Sequence, residues 1–213
     1  MAGDAALWRR TPLEAPAGEL LPVSYDGLAM EPIGPRTVIN LRGRIEDAGF
    51  AAAMKEASGT ELPVTANRWN GDGGRAAIWL GPDEWLIVAA DGEAAPLEQA
   101  IRAARPGDPW LSVVDLSQSY AALLLSGPRT RELLAKGCPL DLHPRSFGSG
   151  SCAQSTLAKA RVLLRAVEDG AAVEVWFRNS FTDYAVRWLI DASAEFRDEG
   201  AFDSPTWSVV SSH

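Results

Sequence analysis

Apolar residues keep no sustained period through the first 35 positions and settle into short, regular runs from Arg36 onward. RTVINLRG (36–43) is a β-rich run. EDAGFAAAMKEA (46–57) then carries Phe50, Met54 and Ala57 at helical spacing, with acids in the first turn where the helix dipole favours them. A strand over about residues 75–80, a Gly81-Pro82-Asp83 turn and a strand over about 84–90 follow. EAAPLEQAIRAA (93–104) places Leu97, Ala100, Ile101 and Ala104 on one helical face and stops before Pro106-Gly107.

The second stretch repeats the theme. SVVDLSQSYAALLLSG (112–127) predicts two apolar strands around a tight Gln118-Ser119 turn. PRTRELLAKG (128–137) predicts a helix with Pro128 at its first position and Gly137 just past its end. CAQSTLAKARVLLRAV (152–167) and AAVEVWFR (171–178) are strands separated by the hairpin signal Glu168-Asp169-Gly170. In the last strand Val173, Val175 and Phe177 share one face, and Glu174, Trp176 and Arg178 the other. The final helix opens Ser180-Phe181-Thr182-Asp183, a capping-box pattern, and sets Phe181, Tyr184, Trp188, Ala192 and Phe196 along one stripe. Hairpins interspersed with single helices indicate an α+β fold, antiparallel sheets with helices on one face. The two halves share an architecture but no sequence repeat.

Five of the 14 prolines (Pro12, Pro16, Pro22, Pro32 and Pro35) fall within residues 1–35, and each fixes φ and removes a donor. Leu7, Trp8, Leu20, Leu21, Val23, Tyr25, Leu28, Met30 and Ile33 make the same stretch too apolar for a solvated tail. The expected organisation is an extended Pro-rich arm over 1–35, lying on this protein's own body or on a partner, an α+β domain over 36–196, and a tail over 197–213.

Charge and composition exclude more than they assign. Twenty basic and 28 acidic side chains give a net charge of −8, which argues against nucleic-acid binding. No uncharged apolar run exceeds six residues, as at Tyr120 to Leu125, so no membrane-spanning helix is expected. The opening MAGDAALWRRTPLEAP has no secretory pattern, and the expectation is a cytoplasmic protein.

Candidate chemistry is sparse. GDGGRA (71–76) matches the dinucleotide fingerprint in letters, but a polar stretch precedes it and a strand follows, so it reads as a loop or hairpin turn. GSGS (148–151) lacks the Lys-Ser/Thr ending of a phosphate loop and reads as a flexible turn. Asp141 and His143 with Ser146 or Ser151 compose a hydrolytic set only on paper, without a nucleophile elbow. Asp83, Glu84, Asp115 and Asp183 each have a turn, strand-end or cap role. Cys138 and Cys152 read as reduced, partly buried thiols, and a metal site would have to gather nearly all of these two with His143 and His213. No catalytic, cofactor-binding or metal-ligating residue is assigned to the chain.

Four stretches nevertheless carry a family resemblance: LSGPRTRELLAKGCPLDLHP (125–144), SCAQ with LAKA (151–154 and 157–160), LGPDEWLIVA (80–89) and NSFTDYAVRWLIDAS (179–193). Together they resemble the gamma subunit of heterotetrameric sarcosine oxidase, over about residues 36–196. DLSQSYAALLLSGPRTRELL (115–134) is also distantly similar to the folate-binding fold of the glycine-cleavage T-protein, which implies two ferredoxin-like halves. The resemblance implies alpha, beta and delta partner subunits that hold NAD, tetrahydrofolate, FAD, FMN and zinc, and no cofactor in this chain. It also implies a complex that demethylates sarcosine oxidatively to glycine, passes the methyl carbon to tetrahydrofolate or releases it as formaldehyde, and makes hydrogen peroxide. Two alternatives stay open. One is a free folate-binding one-carbon transfer protein, for which Asp115 is the sole candidate to hydrogen-bond a pterin. The other is the equivalent subunit of a complex acting on another N-methyl amino acid.

Tryptophan supplies 8 of the 17 aromatic residues, and such an excess suits interface cores. Trp79, Trp85 and Trp188 are expected in the core, Trp8, Trp69, Trp110 or Trp207 nearer partners, and Trp176 is undecided.

Overall fold

The computed structural model describes Leu13 and residues 21–197, apart from Ala48 and Gly73. Two antiparallel sheets account for the strands. The first runs β1 (Val23–Tyr25), β2 (Leu28–Ile33), β8 (Tyr120–Ser126), β11 (Ala172–Arg178), β10 (Ala160–Val167), β9 (Cys152–Leu157) in spatial order. The second runs β4 (Trp69–Gly71), β5 (Ala76–Gly81), β6 (Glu84–Ala90), β3 (Arg36–Arg42), β7 (Ser112–Asp115).

Strand side chains explain how these sheets stack. Along β6, Trp85, Ile87 and Ala89 pack beneath α1 (Phe50–Ser58) and α2 (Ala94–Ala104), while Leu86 and Val88 turn to the opposite face. Along β11, Val173, Val175 and Phe177 pack with residues of α3 (Thr130–Ala135) and α4 (Thr182–Ala192), while Trp176 turns the other way. Those second faces meet, with Val38, Ile78, Leu86 and Val88 of one sheet against Ala122, Cys152, Leu163 and Trp176 of the other. The result is four layers, helix–sheet–sheet–helix, with the helices of each sheet on its outer face. Strands buried on both faces read as unbroken apolar runs, which is why WLIVAA and YAALLL show little alternation.

Each half is ferredoxin-like. β3-α1-β5-β6-α2-β7 is a β-α-β-β-α-β unit whose closing strand lies beside its opening one. β8-α3-β10-β11-α4 follows the same path, but the place beside β8 belongs to β2, from the start of the chain. Leu28 and Met30 of β2 are fully buried, and β2 pairs with β8 from Ala29↔Ser126 to Ile33↔Ala122. Over residues 23–33, therefore, the apolar surface under the Pro-rich segment is the chain's own.

Several local expectations shift. The strands either side of Gln118-Ser119 are not paired with each other; the turn hands the chain from one sheet to the other. The first helix starts at Phe50, so Glu46 and Asp47 precede it, and Asp47 accepts the Gly49 N–H. The helix expected from Pro128 starts at Thr130: Pro128 and Arg129 form a tighter turn first, in which the Thr130 N–H bonds the Gly127 carbonyl, and the Arg129 N–H reaches the Gly27 carbonyl of the β1–β2 hairpin. No capping box forms at Ser180. Asn179–Phe181 make a 3-10 turn instead, tied to the interstrand loop by Asn179 Nδ2 on the Gln118 carbonyl at 2.5 Å. α4 buries Thr182, Ala185, Val186 and Leu189, about 100° round from the expected stripe, and Phe181 is exposed. Trp188 stays half-buried, lying over Gly137, where a Cβ would meet the indole at 2.6 Å.

No described helix is long and apolar enough to cross a membrane.

Candidate functional site

The layer between the sheets holds the most polar part of the interior. Arg165 of β10 and Glu174 of β11 are cross-strand partners, joined by two hydrogen bonds of 2.8 and 2.7 Å. The Trp176 indole N–H adds a third to Glu174 at 2.8 Å, and the Arg165 guanidinium lies 4.6 Å from the Trp69 ring centroid. Both side chains of the pair are about nine-tenths buried. Trp69 in turn donates its indole N–H to the Ala166 carbonyl at 2.9 Å, fastening β4 of one sheet to β10 of the other.

The same corner contains the glycine-rich loop at 148–151. Ser151 pairs with Arg68 in an isolated antiparallel bridge, the Arg68 guanidinium reaches Ser151 Oγ at 3.1 Å, and Cys152 N–H bonds the Asn67 carbonyl. A flexible turn was the expectation; the backbone pairing instead makes this loop the seam where the two sheets join. GDGGRA is the β4–β5 connection, with Asp72 accepting the N–H groups of Gly74 and Arg75, so no helix N-terminus stands behind its glycines.

Asp141, His143 and Ser146 do lie together, though not as a catalytic chain. Ser146 donates to Asp141 at 2.6 Å, Asp141 also accepts the His143 N–H, and His143 Nδ1 accepts the Arg145 N–H. The Ser146 and His143 donors hold the Asp141 carboxyl below the usual range. The serine thus bonds the acid and not the imidazole. Ser151 belongs to the seam. Asp115 accepts the N–H and hydroxyl of Ser117 at 2.8 and 2.5 Å, a closed local turn, and lines none of the described clefts. Asp83 pairs with Arg42, Glu84 accepts from Asn40, and Asp183 pairs with Arg187.

Cys138 and Cys152 are both free and buried, on opposite faces of the six-stranded sheet, the first under its helices and the second between the sheets. Burial pushes the Cys152 thiol up to about 11. Among the described residues no three His, Cys, Asp or Glu side chains are grouped to hold a metal ion.

Of the tryptophans, Trp85 is fully buried and donates to the Pro63 carbonyl at 2.8 Å, and Trp79 is half-buried between the sheets. Trp176 is buried at the centre of that layer. Trp69, expected near partners, serves the sheet–sheet junction instead. Trp110 stands 63% exposed with the Arg44 guanidinium over its ring. Trp8 and Trp207 lie outside the described residues.

Three clefts open onto Trp176. One of about 300 Å³ is lined by the Arg165–Glu174 pair, together with Arg36, Arg75, Asp72 and Glu168. Another, of about 490 Å³, is lined by Tyr120, Gln154, Thr156, Arg161, Leu163 and Arg178 among others, with two guanidinium groups and no carboxylate. Sequence reading missed this row. The signal was available in the alternation of β10 and β11, which puts Arg161, Arg165, Glu174, Trp176 and Arg178 on one sheet face.

Comparison with known proteins gives this arrangement a family. The model of the sarcosine oxidase, gamma subunit family matches residues 42–195. Sarcosine oxidase subunit gamma of Corynebacterium sp. (strain P-1) is 39% identical over 196 residues, covering 90% of this chain and 93% of that protein. The Arthrobacter sp. subunit gamma is 38% identical over 193 residues, covering 88% and 91%. Among solved structures, a chain of the heterotetrameric sarcosine oxidase from Corynebacterium sp. U-96, in complex with pyrrole 2-carboxylate, superposes with a TM-score of 0.78 at 35% identity, covering 88% of this chain and 96% of that one. With a family model spanning most of its length and relatives matched nearly end to end, the chain belongs to the sarcosine oxidase gamma subunit family.

Proposed function

We propose that this chain is the structural gamma subunit of a heterotetrameric sarcosine oxidase, assembled with alpha, beta and delta subunits in the cytoplasm. In this reading the complex removes two electrons from the N-methyl group of sarcosine and delivers them to oxygen as hydrogen peroxide. The methyl carbon leaves as a methylene group on tetrahydrofolate or, after addition of water, as formaldehyde, and glycine remains. FAD, FMN, NAD and zinc belong to the partner subunits, and this chain braces the catalytic ones.

The observation that carries the reading is the near-complete, two-way coverage of subunit gamma relatives and of a chain in a heterotetrameric enzyme. The local chemistry agrees with it. Asp115, Asp141, His143, Ser146 and Ser151 are engaged in turns or at the sheet seam, and Cys152 is a thiol held protonated by burial. Affinity purification of the tagged chain from its native cell tests the reading. A yellow complex with three further polypeptides and sarcosine-dependent peroxide formation is expected; recovery of the chain alone overturns it.

A further inference from the structure

The carboxylate-free cleft has features that a merely solvated surface does not explain. Arg178 on β11 faces Tyr120 on β8, Arg161 on β10 faces Thr156 on β9, and Val162↔Phe177 sets the next position so that the two arginines are direct cross-strand neighbours. Tyr120, Arg178, Arg161 and Thr156 therefore form one row across the sheet. Like charges directly opposite one another destabilise a sheet. Among the described residues neither arginine has a carboxylate partner, although the chain carries 28 acidic side chains against 20 basic ones. Arg178 gains only the Tyr120 ring, 4.3 Å below its guanidinium. The cleft behind the row, about 490 Å³, adds the Trp176 ring, the Leu80 and Leu163 side chains, and the Gln154 amide. The other described clefts each bring at least one carboxylate to their lining, so this positive, aromatic-backed groove is distinct among them.

We infer that this groove receives an acidic segment of a partner subunit, whose carboxylates lie between Arg161 and Arg178 while a neighbouring apolar side chain packs on Trp176 and Leu163. The inference rests on the subunit reading above and deepens it. Its basis is charge complementarity: a carboxylate placed between the two guanidinium groups turns a cross-strand repulsion into two charge-assisted hydrogen bonds.

The test is Arg161→Glu in the tagged full-length chain, co-expressed with the other subunits, with Lys55→Glu on the exposed face of α1 as an equal charge change elsewhere. Arg161→Glu sets an acid opposite Arg178, so the isolated chain should melt at the same temperature or higher. Partner recovery should nevertheless fall by about tenfold or more, while Lys55→Glu recovers partners as the wild type does. Wild-type recovery by Arg161→Glu overturns the inference, and so does an equal loss with Lys55→Glu. Should Arg161→Glu melt early, Arg161→Gln introduces no new charge, and full recovery by that variant overturns the inference equally. If the wild-type chain itself brings down no partner, the subunit reading fails instead.

Discussion

Glu174 accepts three hydrogen bonds inside a layer packed on both sides by sheet, so its charge is worth keeping only while Arg165 answers it. Removing one member of a buried pair leaves the other uncompensated. Glu174→Ala should therefore lower the unfolding free energy by about 3 kcal/mol, read from urea denaturation of the isolated chain. Arg165→Met with Glu174→Leu should recover most of that loss. The remainder, about 1 kcal/mol, reflects the Trp176 N–H left without an acceptor. A double variant as weak as the single one would show that the pair itself, and not its imbalance, stabilises the layer.

At the scale of elements, α3 is short, and its loops are held by one side chain. Arg131 donates to the carbonyls of Leu142 and Phe147 in the loop after the helix and to Gly170 in the β10–β11 turn at 2.7 Å. Burial lowers its pKa, but three carbonyls from two segments converge on its guanidinium. Arg131→Met should cost about 3 kcal/mol, and proteolysis should then cut first between residues 141 and 150; an unaltered cleavage pattern would contradict this role. Such a tether is invisible in sequence, since its partners are backbone atoms 11 to 39 positions away. What could be read were the elements whose own pattern fixes them, such as α2, whose buried Leu97 and Ile101 are two of the expected face, and the β5–β6 turn at Gly81-Pro82-Asp83. Helix starts were less legible, because short turns precede the helices. Pro128 lies in the turn closed by the Thr130 N–H on the Gly127 carbonyl, and Asn179–Phe181 form a 3-10 turn ahead of α4. The cationic row was legible as alternation along β10 and β11, whereas the register that sets Arg161 beside Arg178 needed the paired strands.

For the whole molecule, the decisive connection is β2 beside β8, which completes the second ferredoxin-like half with residues from the start of the chain. A chain beginning at Arg36 would lose the buried Leu28 and Met30 and bare the edge of β8, whose Leu123 and Leu125 lie in the core. Removal of residues 1–35 should therefore yield aggregated protein, or a chain destabilised by about 4 kcal/mol or more, judged from two fully buried side chains at about 2 kcal/mol each. A soluble truncated chain with an unchanged melting curve would show that the strand is dispensable.

That connection also has a consequence in time. Met30 pairs with Leu125, so during synthesis the first strand leaves the ribosome 95 residues ahead of its partner. At elongation rates of about 5–20 residues per second, this leaves the inner edge of an apolar strand without its partner for about 5–20 s. Pro32 lies on the part of β2 that β1 does not cover, the edge position where proline is tolerated and where it obstructs pairing with a stray chain. The proline that obscured this strand in the sequence thus guards the sheet edge that β1 leaves open, while the opposite edge waits for β8.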